Sequence, residues 1–289
     1  MKLDKNDLCW CKSGLEYGKC HFQFDEKLAY LKRKGFKIPN KKLIKTQKQI
    51  EGIRKSAVIN NGILDMIGQN IKEGMTTGDI DKLVHDYTVS HGAIPAPLNF
   101  EGFPKSVCVS INNEVCHGIP SNKVTLKNGD IVNVDATTNL NGYYSDASRM
   151  YIIGEASEEA NRLVKVTKEC LEKGLDAVKQ WGCLGDVGAA IYKHAKDNGF
   201  SVVREFCGHG VGLAMHEEPC VTHFGKAGTG MVLAPGMVIT IEPMINAGKR
   251  FIYIDRRNGW TALTRDGSLS AQWEHTIANT ENGYEIIAK

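Results

Sequence analysis

No apolar run in this 289-residue sequence approaches the ~18 residues that a membrane-spanning helix requires. Residues 1–20 are polar and lack an apolar centre, so no secretory leader is expected and the chain is read as cytoplasmic, with no membrane partner. Neither sign of charge dominates: the formal net charge is +3, with 42% hydrophobic and 24% charged residues. Those proportions are ordinary for a globular protein and exclude disorder or coiled coil as a description of the whole. The nine cysteines are odd in number and form no regular framework, so reduced thiols are expected rather than a disulfide scaffold. The length suits one large domain or two ordinary ones, and needs no metal or disulfide merely to bury a core.

Charge and cysteine are unevenly distributed. Residues 1–50 carry 13 Lys and Arg against 5 Asp and Glu, whereas the remaining 239 carry 23 against 28. That split reads as a basic module on a mildly acidic body. Cys9, Cys11, Cys20 and His21 place four soft ligands within thirteen positions, the donor set of a closed structural zinc site. The lysine-rich stretch 22–48, broken by Lys34-Gly35 and Pro39-Asn40, reads as a linker or extended arm.

Helical spacing of apolar residues begins near Thr46 and ends between Gly68 and Gly74. Further helices are expected over Thr77–His91, with Thr77 as cap, Ser157–Val178 and Leu184–Asn198. Strands are expected at Ser106–Ile111, Asp130–Thr138, Tyr143–Ile153, Val202–Phe206, Met237–Ile245, Phe251–Asp255 and Gln272–Asn279. Helices followed by strands thus occur twice, an α+β pattern with a possible internal pseudo-repeat but no convincing sequence identity between the halves.

Four carboxylates stand inside or beside apolar strand patterns: Asp135, Asp146, Glu242 and Glu274. Such residues are rarely buried unless paired or bound to a metal. Asn141-Gly142 is a hairpin signal between the two aspartates. A loop of Asn141-Gly142 sets Asp135 opposite Ser148 with Asp146 diagonal on the same face; a loop of Leu140-Asn141 sets the aspartates face to face. Four carboxylates in one site would repel, and two divalent cations would balance them. His209, flanked by glycines at 208, 210 and 212, His216 and His117 are candidate imidazoles. Oxygen-rich donors with one imidazole suit Mn, Fe, Co or Zn.

The blocks Phe103-Pro104-Lys105-Ser106-Val107-Cys108, Glu114 to Pro120, Cys207-Gly208-His209-Gly210, His216-Glu217-Glu218-Pro219, Ile241-Glu242-Pro243-Met244 and Ser270 to Thr276 occur in order with the Asp135/Asp146 pair. Over about residues 46–289 the chain therefore resembles the type I methionine aminopeptidases of the pita-bread metallopeptidase family. The resemblance implies an α+β pita-bread fold: two pseudo-symmetric halves, with antiparallel sheet covered by helices. It implies Asp135, Asp146, His209, Glu242 and Glu274 as ligands of two divalent ions, with Asp146 and Glu274 shared. It also implies Glu242 as proton shuttle, His216 as donor to the substrate carbonyl and His117 near the scissile amide. Phe100, Phe103, Cys108, Met215 and Trp260 are the implied pocket, with His117 and His216 at its edge, and Thr137 and His275 adjoin the ligands.

Two departures concern the pocket. Many relatives have Tyr-His-Gly where this chain has Phe100-Glu101-Gly102, and Phe where it has Met215. The first twenty-one residues resemble a SEC-C-type zinc motif. Implied partners are the amino-terminal Met peptides of nascent proteins, with possible ribosome docking through the basic extension. A monomer is expected, divided into an extension at 1–45 and a catalytic domain at 46–289. The competing readings are an Xaa-Pro aminopeptidase of the same fold, which usually carries a larger amino-terminal domain, and a ribosome-docking relative that has lost catalysis, which typically lacks some of these ligands.

Overall fold

A computed structural model describes residues 3–289. Five α-helices are present among them: α1 Phe22–Arg33, α2 Gln47–Asn70, α3 Thr77–Ser90, α4 Glu158–Asp176 and α5 Leu184–Asp197. None is long and apolar enough to cross a membrane.

The first half packs α2 and α3 against strands 94–95, 108–111, 131–140 and 143–152. The long helix α2 starts at a capping box: Thr46 Oγ1 accepts from the Gln49 N–H while the Gln49 side chain accepts from the Thr46 N–H. Its buried stripe, Ile53, Ile63, Leu64 and Ile67, meets Val132, Val134 and Ala147 of the sheet. The cap of α3 is Thr76, one residue before the expected Thr77, because Asp79 returns the bond to the Thr76 N–H.

The second half repeats the plan. Helices α4 and α5 cover a core shared with a five-stranded antiparallel sheet ordered 283–288, 275–280, 238–241, 208–210, 217–221. The halves join where Ser148 and Glu274 exchange backbone hydrogen bonds of 3.1 and 3.4 Å.

Two expected strands are interrupted at positions that matter. Met237–Ile245 divides into 238–241 and 244–246, because Pro243 has no N–H to give the ladder. Gln272–Asn279 divides into 270–272 and 275–280. Glu242 and Glu274 sit in those gaps.

Two expectations are corrected. The stretch 22–48 is not merely an arm: α1 lies within it, Leu28, Leu43 and Ile44 join the second-half core, and Phe24 packs against Trp181 at 5.4 Å. Its lysines other than Lys45 are exposed, which hides the apolar side from a reading of composition. The cysteines are not all free thiols either, since Cys207 and Cys220 form a disulfide. The pairing of Gly208 with Val221 brings together two cysteines separated by 13 positions in sequence.

Candidate active site

The hairpin follows the Asn141-Gly142 register. Asp135 pairs with Ser148, and Asp146 pairs with Thr137, so the two carboxylates share one face diagonally. Cys108 pairs with Asp135 on the neighbouring strand. His209 comes from the second half on a very close strand: a Cβ at Gly210 would stand 2.1 Å from the Glu218 carbonyl oxygen. Only glycine permits that approach.

The five expected metal-ligating side chains converge. Asp146, His209 and Glu274 offer donor atoms within 4.8 Å of one another. His209 Nε2 lies 3.5 Å from Glu242 Oε1 and 3.7 Å from Asp146 Oδ2. Asp135 and Glu274 line the same cavity wall as these donors. His209 Nδ1 lies 2.9 Å from the Gly210 carbonyl, which suits an Nδ1–H tautomer and leaves Nε2 as the free donor atom. Thr137 Oγ1 donates to Asp146 Oδ1 at 2.8 Å; Thr240 Oγ1 and Gln272 Nε2 each donate to Glu242 at 3.0 Å.

Electrostatics shows what this arrangement lacks on its own. Burial pushes the Asp146 carboxyl up to about 7 against its hydrogen bonds from Thr137 and Ala147. Burial, then neighbouring carboxylates, raises Asp135, Glu242 and Glu274 well above the usual carboxylate range. Glu274 Oε1 is buried with no hydrogen-bond partner. Crowded, desolvated acids with an orphaned oxygen and a facing imidazole are the donor chemistry of a divalent-cation centre. The residues fit the group.

A cavity of about 370 Å³ opens beside these donors. Every expected pocket residue lines it: Phe100, Phe103, Cys108, His117, Met215, His216 and Trp260. Phe103 and Trp260 meet edge to face at 5.2 Å, and Phe100 meets the His216 ring at 5.3 Å. His117 stands at φ 56°, a left-handed conformation costly for a residue with a Cβ. Gly118 holds it there, since a Cβ on that glycine would lie 2.0 Å from the Val109 carbonyl oxygen. Burial and nearby histidines lower His117 to about 4, and the cavity walls around the more accessible His216, with His209 beside it, lower that ring to about 4 as well, leaving both neutral near pH 7.

Thr137 lines the cavity as well, whereas His275 does not. Several contributors escape the sequence reading. Phe206 packs against His117 at 5.2 Å, and Met244 and Cys207 complete the wall. Buried His223 accepts the Glu242 backbone N–H at 3.1 Å, its imidazole lowered to about 3 by burial. Thr240 and Gln272 were legible in principle, because each stands two residues before a site glutamate on a strand pattern. His223, nineteen residues from its partner, leaves no such signal.

In the amino-terminal segment, Cys9, Cys11, Cys20 and His21 bring four donor atoms within 4.8 Å of one another. Cys20 Sγ and Cys9 Sγ lie 3.0 and 3.2 Å from His21 Nδ1.

The profile of metallopeptidase family M24 matches residues 51–281, and that of the SEC-C motif matches residues 6–23. Methionine aminopeptidase A of Synechocystis sp. is 50% identical over 243 residues, 84% of this chain and 95% of that protein. The methionine aminopeptidase of Escherichia coli is 48% identical over 245 residues, 84% of this chain and 92% of that protein. The crystal structure of methionine aminopeptidase from Rickettsia prowazekii superposes with a TM-score of 0.83 at 46% identity, covering 85% of this chain and 99% of that one. A prolidase from Pyrococcus furiosus, at 24% identity and a TM-score of 0.64, shares the fold over 86% of this chain and 65% of its own.

Proposed function

The chain belongs to metallopeptidase family M24, and from that premise we propose how its residues divide the work of removing the amino-terminal methionine from peptides by metal-dependent hydrolysis. The observation that carries the reading is the convergence of Asp135, Asp146, His209, Glu242 and Glu274 at the wall of an apolar cavity. These five side chains would hold two divalent ions, Mn, Fe, Co or Zn. Ions bound there supply a water of lowered pKa and polarise the scissile carbonyl.

The chain's own groups do the rest. Glu242 takes a proton from the attacking water and passes it to the leaving amine, its carboxylate fixed by Thr240 and Gln272. His216, a neutral ring with one N–H, donates to the carbonyl oxygen as charge develops on it. His117 faces the scissile nitrogen, aimed by its constrained backbone. Phe103, Cys108 and Trp260 receive the methionine side chain, with Phe100 and Met215 on the pocket's other walls. Met215 is soft and flexible, and still suits a thioether neighbour.

Residues 46–289 form the catalytic domain in this reading, and 1–45 an extension in which Cys9, Cys11, Cys20 and His21 hold a structural zinc ion. In the same reading the protein is a monomer acting on nascent proteins in the cytoplasm. Exposure of Lys32, Lys34 and Lys42 supports docking of the extension on ribosomal RNA. Changing these three to Glu is expected to reduce co-sedimentation with ribosomes at low salt; unchanged sedimentation contradicts that role.

The direct assay incubates the protein with Mn or Co and either Met-Gly-Met-Met or a Gly-Pro dipeptide. Release of Met from the first alone is the expected result. Cleavage of Gly-Pro points to an Xaa-Pro enzyme, and inertness in every metal points to a binding protein.

A further inference from the structure

The proposed reaction leaves one buried charged side chain unused. Lys45 has a side chain 1% exposed, and its Nζ meets Glu217 Oε2 at 2.5 Å. Glu217 directly follows His216. Its other oxygen, Oε1, accepts the backbone N–H groups of Leu213 at 2.7 Å and Ala214 at 3.1 Å. One carboxylate thus gathers the turn that carries His216 with one oxygen and is tethered to Lys45 with the other.

Lys45 is itself firmly placed. Its backbone N–H donates to the Gly236 carbonyl at 2.8 Å, and Thr46 beside it caps α2. The start of the turn is held from the catalytic hairpin, where the Tyr144 N–H donates to the Gly212 carbonyl at 2.9 Å. By contrast, Leu213 and Ala214 are exposed, so the outer side of the turn gains little from packing. Beside the ring contacts of His216 with Phe100 and His209, the inner bonds, of which the Lys45–Glu217 pair is the charged one, therefore set where the imidazole stands.

We propose that Lys45 is a positioning residue for His216, acting through Glu217. Lys45 lies outside the segment matched by the M24 profile, which begins at residue 51. A buried cation opposite a carboxylate that already accepts two N–H bonds fixes the carboxylate's orientation as well as its position. The proposal rests on the reading of His216 as donor to the substrate carbonyl, since a turn that positions nothing reactive would have no kinetic role.

Lys45→Met keeps the length and apolar stem of the side chain and removes its charge. The test measures kcat and KM for Met-Gly-Met-Met with Mn, in the otherwise natural chain and in a His216→Ala background. A positioning loss predicts a kcat lowered about 10–100-fold with KM within about twofold. Lys45→Arg is expected to restore most of that loss. In the His216→Ala background, Lys45→Met is expected to change kcat less than about twofold, since no imidazole remains to position. An equal loss in both backgrounds, or an unchanged kcat in Lys45→Met alone, overturns the proposal while leaving the role of His216 intact. An unchanged kcat in His216→Ala alone overturns the role of His216, and the proposal with it. Glu217→Gln, which keeps a carbonyl acceptor for the turn, repeats the test if Lys45→Met does not fold, and the same non-additivity is expected.

Discussion

Glu242→Ala is expected to lower kcat for Met release by at least about 10³-fold without unfolding the protein. A positioned proton carrier contributes about 10²–10⁴-fold alone, and this substitution also removes a metal donor. The residue is only 8% exposed, and its side chain receives hydrogen bonds from Thr240 and Gln272. Losing it leaves those donors short of a partner, which costs stability. Against this, the raised pKa of Glu242 reflects burial and repulsion from Asp135 and Asp146, both relieved when the carboxyl is removed. The two effects oppose each other, so in metal-free buffer the melting temperature is expected to change little while activity disappears. Parallel kinetics and thermal unfolding check both halves. Retained turnover contradicts the assignment, and a collapse of the melting temperature would make the loss one of folding.

His216→Ala is the second large effect. Removing one donor to a developing oxyanion costs about 10²–10³-fold in kcat. Because the proposed bond strengthens as charge builds on the carbonyl, kcat should fall much more than KM rises. His216 is exposed and its ring is held by Phe100 and His209, so its loss opens no core cavity. Steady-state kinetics decide the point: a raised KM at constant kcat would make His216 a binding group only.

The clustering of the carboxylates was legible in the sequence because they violate burial rules locally, whereas the full ligand set and the pocket were expected only from the family resemblance. Asp135 follows an apolar strand, and Glu242 ends one, positions where a carboxylate needs a reason. The hairpin turn limited the aspartates to two registers, and the one with Asn141-Gly142 as loop is observed. Long apolar periodicity gave α2, α4 and α5 to within a few residues at each end. Short strands were harder. Residues 208–210 and 217–221 carry glycines and charges and pair only through tertiary contacts, so their alternation is hidden. The disulfide depends on that same unread pairing. Helix α1 was masked by its lysines, and His223 supports Glu242 through a backbone contact that no local pattern encodes.

The central claim is that five side chains hold divalent metal at the methionine pocket. It is tested most directly by titrating Mn into metal-stripped protein while following bound metal and Met release together, beside Asp146→Ala. Met release is expected to rise with Mn occupancy, and Asp146→Ala to lose at least one bound ion and its turnover. Full Mn binding and normal Met release in Asp146→Ala would contradict it.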